Sequence, residues 1–420
     1  MFRSRNIAPN VEALQAIKLL HPETIYTPSG LPIHVLRNIP NEIFHVQIEL
    51  EGGKFYQKKP LINAFSSDLL FSGTSDYTQF ELQEKLDLQG AFIQMEATLS
   101  STVLNVYGLL SCFEQVFGLV NHVLTQASYP EKEFELHVKA AKQRHLVNME
   151  KNSYVARREF LATLFPDNLI GQVANEQDFD AATKWDCFNF YSDFYANNVR
   201  QIHVVGAVSD HHIQVLETVF DKRYKQSNVL LMQPIIPEAK QLYIEKPNAV
   251  QSTIRIGRMM FTPKHPDYFE FDILETILGG YFGSRLMQNL REEKGYTYGV
   301  SSGITSYEHT GYLSISTEVG KQHKDAAMDA IRYEIERLRE ELISESELSL
   351  AKAYIQGQVL KSTDGAFAQM NQFLFAKRFD LQEDNLNQFL QTLSSIKPER
   401  LRDLAQMYLD WSAMTKIVVG

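Results

Sequence analysis

The residues of this 420-residue chain that could do chemistry are scattered rather than clustered. A hydrolytic zinc site needs three protein ligands, commonly two histidines one helical turn apart, and a carboxylate to take the proton of a bound water. Neither H-E-x-x-H nor H-x-x-E-H occurs among the twelve histidines. His45, His122 and His203 are isolated, and His211-His212 are adjacent rather than helically spaced. Cys112 and Cys187 lie far apart, outside any C-x-x-C pattern and without sequence-local activators. Gly279-Gly280-Tyr281-Phe282-Gly283 has the glycine density of a phosphate loop. It lacks the Lys-Ser/Thr that would follow in such a loop, and no dinucleotide fingerprint follows a strand here. Beyond it stand Arg291 and Tyr298, two strong donors seven residues apart on either side of Gly295.

The patterning around these residues implies an α+β chain built twice. Ile25-Tyr26 and Ile33–Leu36 flank Pro28-Ser29-Gly30-Leu31, a hairpin turn. In IFHVQIEL, Phe44, Val46, Ile48 and Leu50 take one face and His45, Gln47 and Glu49 the other. Phe113, Val116, Val120, Val123 and Leu124 recur at helical spacing, and a long polar helical region is expected from about Glu131 to Glu159. RQIHVVGAVS returns to strand. The second half repeats this order. STIRIG and GYLSISTEV read as strands, and Ile273, Leu274, Ile277 and Leu278 as a helix. Met328, Ile331, Ile335, Leu338 and Leu342 mark a long amphipathic helix, and Ser344 with Glu347 a capping box. The segment LLFSGTSDYTQFELQEKLDLQGAFIQ echoes ILGGYFGSRLMQNLREEKGYTYGVSS. The expected domains are 1–226 and 239–420, joined by a linker at 227–238 that holds Pro234 and Pro237. Each is expected to be a mostly antiparallel sheet covered by helices.

The stretch Gly279 to Ser302 closely resembles the second-domain signature of the insulinase/pitrilysin peptidases, the inverzincins. Gly279, Gly280, Ser284, Arg285, Leu286, Leu290, Arg291, Glu292, Lys294, Gly295, Tyr298 and Val300 carry the match. That family's first domain bears H-x-x-E-H on a helix, and here Leu70, Phe71, Gly73 and Thr74 fix the register of that helix. The resemblance therefore sets Ala64 at the first histidine, Ser67 at the glutamate base and Asp68 at the second histidine. It expects the third ligand, a glutamate, in the region holding Lys142, Arg144, His145 and Glu150. Alanine has no donor atom, and an unassisted serine hydroxyl is a poor base at neutral pH. The resemblance thus implies a subunit that binds no zinc and needs a homologous zinc-bearing partner, or else a homodimer. It also implies that Arg291 and Tyr298 contact peptide substrate, and that Ala91–Ala97 lies at a sheet edge able to add a peptide strand. The alternative is a scaffold or peptide-binding protein that does no proteolysis.

Composition narrows the partners further. A formal charge of −10 argues against nucleic acid, which needs a basic face. No stretch approaches the roughly 20 apolar residues of a membrane span. The opening MFRSRNIAPNVEALQAIKLL lacks the continuous apolar core of a signal peptide. With two unpatterned cysteines, a cytoplasmic protein with reduced thiols is expected.

Overall fold

The computed structural model describes residues 14, 16–37, 39–226 and 238–420. Six strands form the first sheet: β1 (Glu23–Tyr26), β2 (Pro32–Leu36), β3 (Ile43–Leu50), β4 (Phe92–Ala97), β5 (Thr102–Leu109) and β6 (Val199–Gly206). Their order is β1-β2-β6-β3-β5-β4. The second sheet has β7 (Gln241–Ile244), β8 (Gln251–Met260), β9 (Val300–Ser306), β10 (Gly311–Gly320) and β11 (Thr415–Val419), in the order β7-β11-β8-β10-β9. In each sheet one parallel pair, β2 with β6 or β7 with β11, continues into antiparallel neighbours. Among the described residues the second sheet matches the first strand for strand apart from β1, so the repeat heard in the sequence is a repeat of topology.

Alternation decides which face of each sheet is covered. Phe44, Val46, Ile48 and Leu50 on β3 are buried among Val116, Val120, Val123 and Leu124 of the helix Phe113–Gln126. On β10, Leu313, Ile315 and Val319 pack with Ile331, Ile335 and Leu338 of the helix Lys324–Glu340. Leu342 departs from the expected face. The helix ends at Glu340, leaving Leu342 exposed. The Ser344 cap forms in one direction only: its side chain accepts from the Glu347 N–H, but the Glu347 carboxylate turns to Arg285 instead.

The polar helical region expected from about Glu131 to Glu159 consists of two helices, Glu131–Met149 and Asn152–Leu164. The second is not solvated. Val155, Ala156, Phe160 and Leu164 form a third core with Tyr312, Ile417 and Val419 of the second sheet. The approach is close because β8 has glycine there. A Cβ on Gly257 would lie 2.9 Å from the Phe160 ring and 1.9 Å from the Leu313 carbonyl. In return, the helix Gly365–Arg378 lies on the first sheet, where Met370 packs on Leu36 and Val205. Each half thus lends a helix to the other's sheet. Of the expected linker, residues 227–237 lie outside the described residues.

The repeat also sets Asp272 and Glu275 opposite Ala64 and Ser67. Both second-half carboxyls are pushed up by burial, Asp272 to about 6 and Glu275 to about 7, and Asp272 adds to the rise at Glu275. The Ser302 hydroxyl donates to Glu275. A proton held to about 7 in the folded state but released near 4.5 in the unfolded chain makes stability fall as pH rises between those values. Glu275→Gln keeps the acceptor for Ser302 and removes that loss. It should stabilise the protein by roughly 2–3 kcal/mol at pH 8 and by little at pH 4.5, read from urea midpoints. An equal effect at both pH values would mean that Glu275 is ionised in the fold. Phe160→Ala should cost about 3–5 kcal/mol in the same measurement, because it empties the core between the halves.

Candidate functional site, a degenerate metallopeptidase centre

The helix that should carry the zinc motif is Ile62–Asp68, entered through Leu61 at φ 73°. Its buried face is Ile62, Asn63, Phe65, Ser66 and Ser67. Ala64 and Asp68, one turn apart, are exposed on the other side. The helix therefore presents the first and third motif positions together and withdraws the second. Ser67 is 2% exposed, and its hydroxyl is spent on the Ala64 carbonyl at 2.9 Å, so it is not free to act as a base.

Asp68 does have a partner, one that sequence spacing did not reveal. Its carboxylate lies 3.5 Å from Nε2 of His137 on the helix Glu131–Met149, and the His137 ring meets Phe65 edge-on. Burial raises the Asp68 carboxyl and lowers His137, while the Arg144 charge favours ionised Asp68 and neutral His137. No long-range signal in a single sequence joins positions 68 and 137. Of the region expected to hold the third ligand, Arg144 bears on the site only as a charge. Lys142 pairs with Glu176 and Asp180, and Glu150 caps its own helix in solvent. His145 Nδ1 lies 3.2 Å from the Tyr154 hydroxyl.

The residues present do not suit zinc. Asp68 and His137 offer two donors, Ala64 none, and Arg144 adds a cation where a dication would sit. Among the described residues no three histidine, cysteine or acidic side chains come together as a ligand set. The other histidines have local roles. His45 lies 3.1 Å from Asn105, His122 lies 3.0 Å from Thr74, and His212 caps its own helix at Ser209. His211 lies against Glu114 at 2.6 Å. Both cysteines are buried and unpaired; burial pushes the Cys187 thiol up to about 12, which makes it a poor nucleophile.

Ala64 opens onto a cavity of about 790 Å³ between the two halves. The end of β4 at Glu96 and Ala97 lines it, as does the β9–β10 turn from Thr305 to His309. The two hairpin tips touch, Ser100 donating to Glu308 at 2.6 Å. Lys54, lowered to about 8 by burial, donates to the Gln172 carbonyl in its wall. β4 is the free edge of the first sheet, pairing only with β5 among the described strands. Its outward residues Phe92, Gln94 and Glu96 are exposed.

Arg291 and Tyr298 sit elsewhere. Arg291 lies on a π-helical turn, Met287–Glu293, marked by the Lys294 N–H bonding back to Asn289. Gly295 follows at φ 64°, the left-handed position that ends a helix. The Arg291 guanidinium lies over the Phe282 ring at 4.7 Å and 3.6 Å from its neighbour Glu292. Tyr298 is 93% exposed. Neither lines the cavity that Ala64 opens onto. Tyr296 does not share the solvent face of Tyr298; it stacks on His323.

Residues 182–355 match the family described as Peptidase M16 inactive domain. An uncharacterized zinc protease of Bacillus subtilis, YmxG, is 22% identical over 82% of this chain and 85% of its own length. The crystal structure of a peptidase M16 inactive domain from Pseudomonas fluorescens superposes with a TM-score of 0.85 at 20% identity, covering 96% of this chain and 98% of that one. The periplasmic protease PqqL of Escherichia coli superposes at 0.75 and 15% identity, covering all of this chain but 48% of PqqL. No helix among the described residues is long and apolar enough to cross a membrane. The two-sheet fold and these likenesses agree: residues 182–355 match the peptidase M16 inactive domain, and the chain as a whole is similar to M16-type zinc proteases while carrying no H-x-x-E-H zinc motif.

Proposed function

We propose that this chain is the non-zinc subunit of a two-chain metallopeptidase, lending Arg291 and Tyr298 to peptide hydrolysis at a homologous partner's zinc centre. The observation that carries the reading is the separation of the two parts. The chain's own motif faces the cavity between its halves with no workable ligand set. Its Arg/Tyr pair stands outside that cavity, with Tyr298 in open solvent. Donors kept on an outer surface suit a site completed by another chain. PqqL supports the arrangement, since this chain accounts for about half of that protease.

In this reading the two domains, 1–226 and 239–420, act as one rigid half-shell. The free edge of β4 adds the substrate as a further strand, with main-chain hydrogen bonds giving affinity independent of sequence. At the partner's zinc centre, outside this chain's own cavity, Arg291 and the Tyr298 hydroxyl hold the scissile carbonyl and the oxyanion formed from it, chemistry to which such donors are suited. The chain itself takes no metal. Its buried, unpaired cysteines favour a reducing, cytoplasmic setting. The alternative, a scaffold or peptide-binding protein, shares the altered motif and differs only in needing no Arg/Tyr pair.

Peptide cleavage by the reconstituted two-chain complex decides between them. Arg291→Ala with Tyr298→Phe should lower kcat/KM by roughly 10²–10³ while leaving assembly intact. Full activity in that double variant would remove these residues from the mechanism.

A further inference from the structure

The helix Glu345–Ser362 is apolar on two faces. Leu348, Ala351, Ile355 and Val359 lie in the core of the second half. Leu350, Ala353, Gly357 and Leu360, recurring at steps of three and four, form another face, and all four are exposed. Leu350 is 66% exposed, and a Cβ on Gly357 would meet nothing within 4 Å. A helix apolar on more than one side belongs inside a structure. Among the described residues nothing covers this second face.

That face runs on into the surface that carries Arg291. Tyr281 stacks on Tyr354 at 4.9 Å, and Arg285 pairs with Glu347. Residues 281–285 therefore lie along the helix, with Leu350 between the two contacts. Gly283 permits this path, because a Cβ there would lie 2.7 Å from the Tyr281 ring. Phe282, 61% exposed, stands on the segment and carries the Arg291 guanidinium over its ring. The result is one strip, from Arg291 through Phe282, Tyr281 and Tyr354 to Leu350 and Leu360. Two carboxylates stand at its margin, each beside an arginine: Glu292 by Arg291 and Glu347 by Arg285. Aromatic and aliphatic side chains with an arginine make up the buried centre of protein interfaces, and an exposed strip of this kind marks an interaction site.

We propose that this strip is the contact surface for the zinc-bearing partner chain. The inference rests on the two-chain reading above and says which face of this subunit the partner covers. Arg291 serves another chain's zinc centre only if that chain closes over the surface that holds it, and the apolar surface adjoining Arg291 is this one. A partner seated here buries Phe282, Leu350 and Leu360. It also shields Arg291 from water, which strengthens the hydrogen bonds that the guanidinium donates. Gly357, with open space before it, admits a partner side chain close to the helix backbone. A second copy of this chain offers the same apolar chemistry, and the test separates the two.

The test uses the full chain, affinity-tagged and expressed in its own source. Photoreactive p-benzoylphenylalanine replaces Leu350 in one variant and Trp185, an exposed residue of the first half, in another. Irradiation of the first should join it to a chain bearing H-x-x-E-H, identified by mass spectrometry of the linked peptides, and the second should give no such product. Leu350→Asp/Leu360→Asp is then titrated against that zinc-bearing chain, purified from the wild-type complex. The dissociation constant should rise about thirtyfold or more. Tyr298→Phe, a change outside the strip, should leave it unchanged. Melting curves check that the charged variant is folded, and the crosslink stands without it. Unchanged association of the charged variant would overturn this surface and leave the two-chain reading standing. So would a crosslink from Leu350 to a second copy of this chain or back into the same copy, and so would equal linkage from Trp185. Purification with no zinc-bearing chain would overturn both the surface and the two-chain reading.

Discussion

The packing of Phe160 against Gly257 is the constraint on which the rest depends. It seats a helix of the first half on the second sheet, with Tyr312 and Ile417 closing around it. A dry, close-packed contact of this kind does not slide, because interiors pack at crystal density. The reciprocal contact, the helix Gly365–Arg378 on the first sheet, is far more polar, with His34, His203 and Lys377 beside a small patch around Met370. One seam therefore fixes the halves and the other leaves polar space between them. The cavity in front of Ala64 follows from that asymmetry.

The degenerate motif is a change of electrostatics as much as a loss of ligands. Where the sequence resemblance expects two histidines and a glutamate base, the helix Ile62–Asp68 presents one carboxylate. The neighbouring helix answers it with His137 and Arg144. The local charge needed to hold a dication has been replaced by a neutralised pair. The second half diverges differently, keeping two carboxyls at the repeat-related positions, both pushed up by burial. Among the described residues neither half brings together the three ligands that a zinc-bound water needs.

Much of the fold could be read from the sequence because alternation and helical spacing are local. β3, β10 and the helices Phe113–Gln126 and Lys324–Glu340 appear where their apolar periods put them, and Gly295 ends a helix where a left-handed residue was needed. The break at Glu150–Lys151 within the helical region carries no glycine or proline to mark it. The apolar stripe of the helix Asn152–Leu164 was missed because its partners Gly257, Tyr312, Ile417 and Val419 lie far away in sequence on the second sheet. The motif positions were fixed by Leu70, Phe71, Gly73 and Thr74. The His137 contact and the distance of Tyr298 from the chain's own cavity are tertiary facts. No spacing rule within one sequence encodes them.

As proposed, this chain works beside a zinc-bearing partner and binds no zinc itself. Native mass spectrometry of the affinity-tagged protein from its own source, with metal analysis of each released subunit, tests it most directly. The account predicts a 1:1 complex with a second chain of similar size, carrying one zinc that leaves with the partner. A metal-free monomer or homodimer would contradict the two-chain peptidase, and zinc retained by this chain would contradict the assignment of Ala64, Ser67 and Asp68 as a lost site.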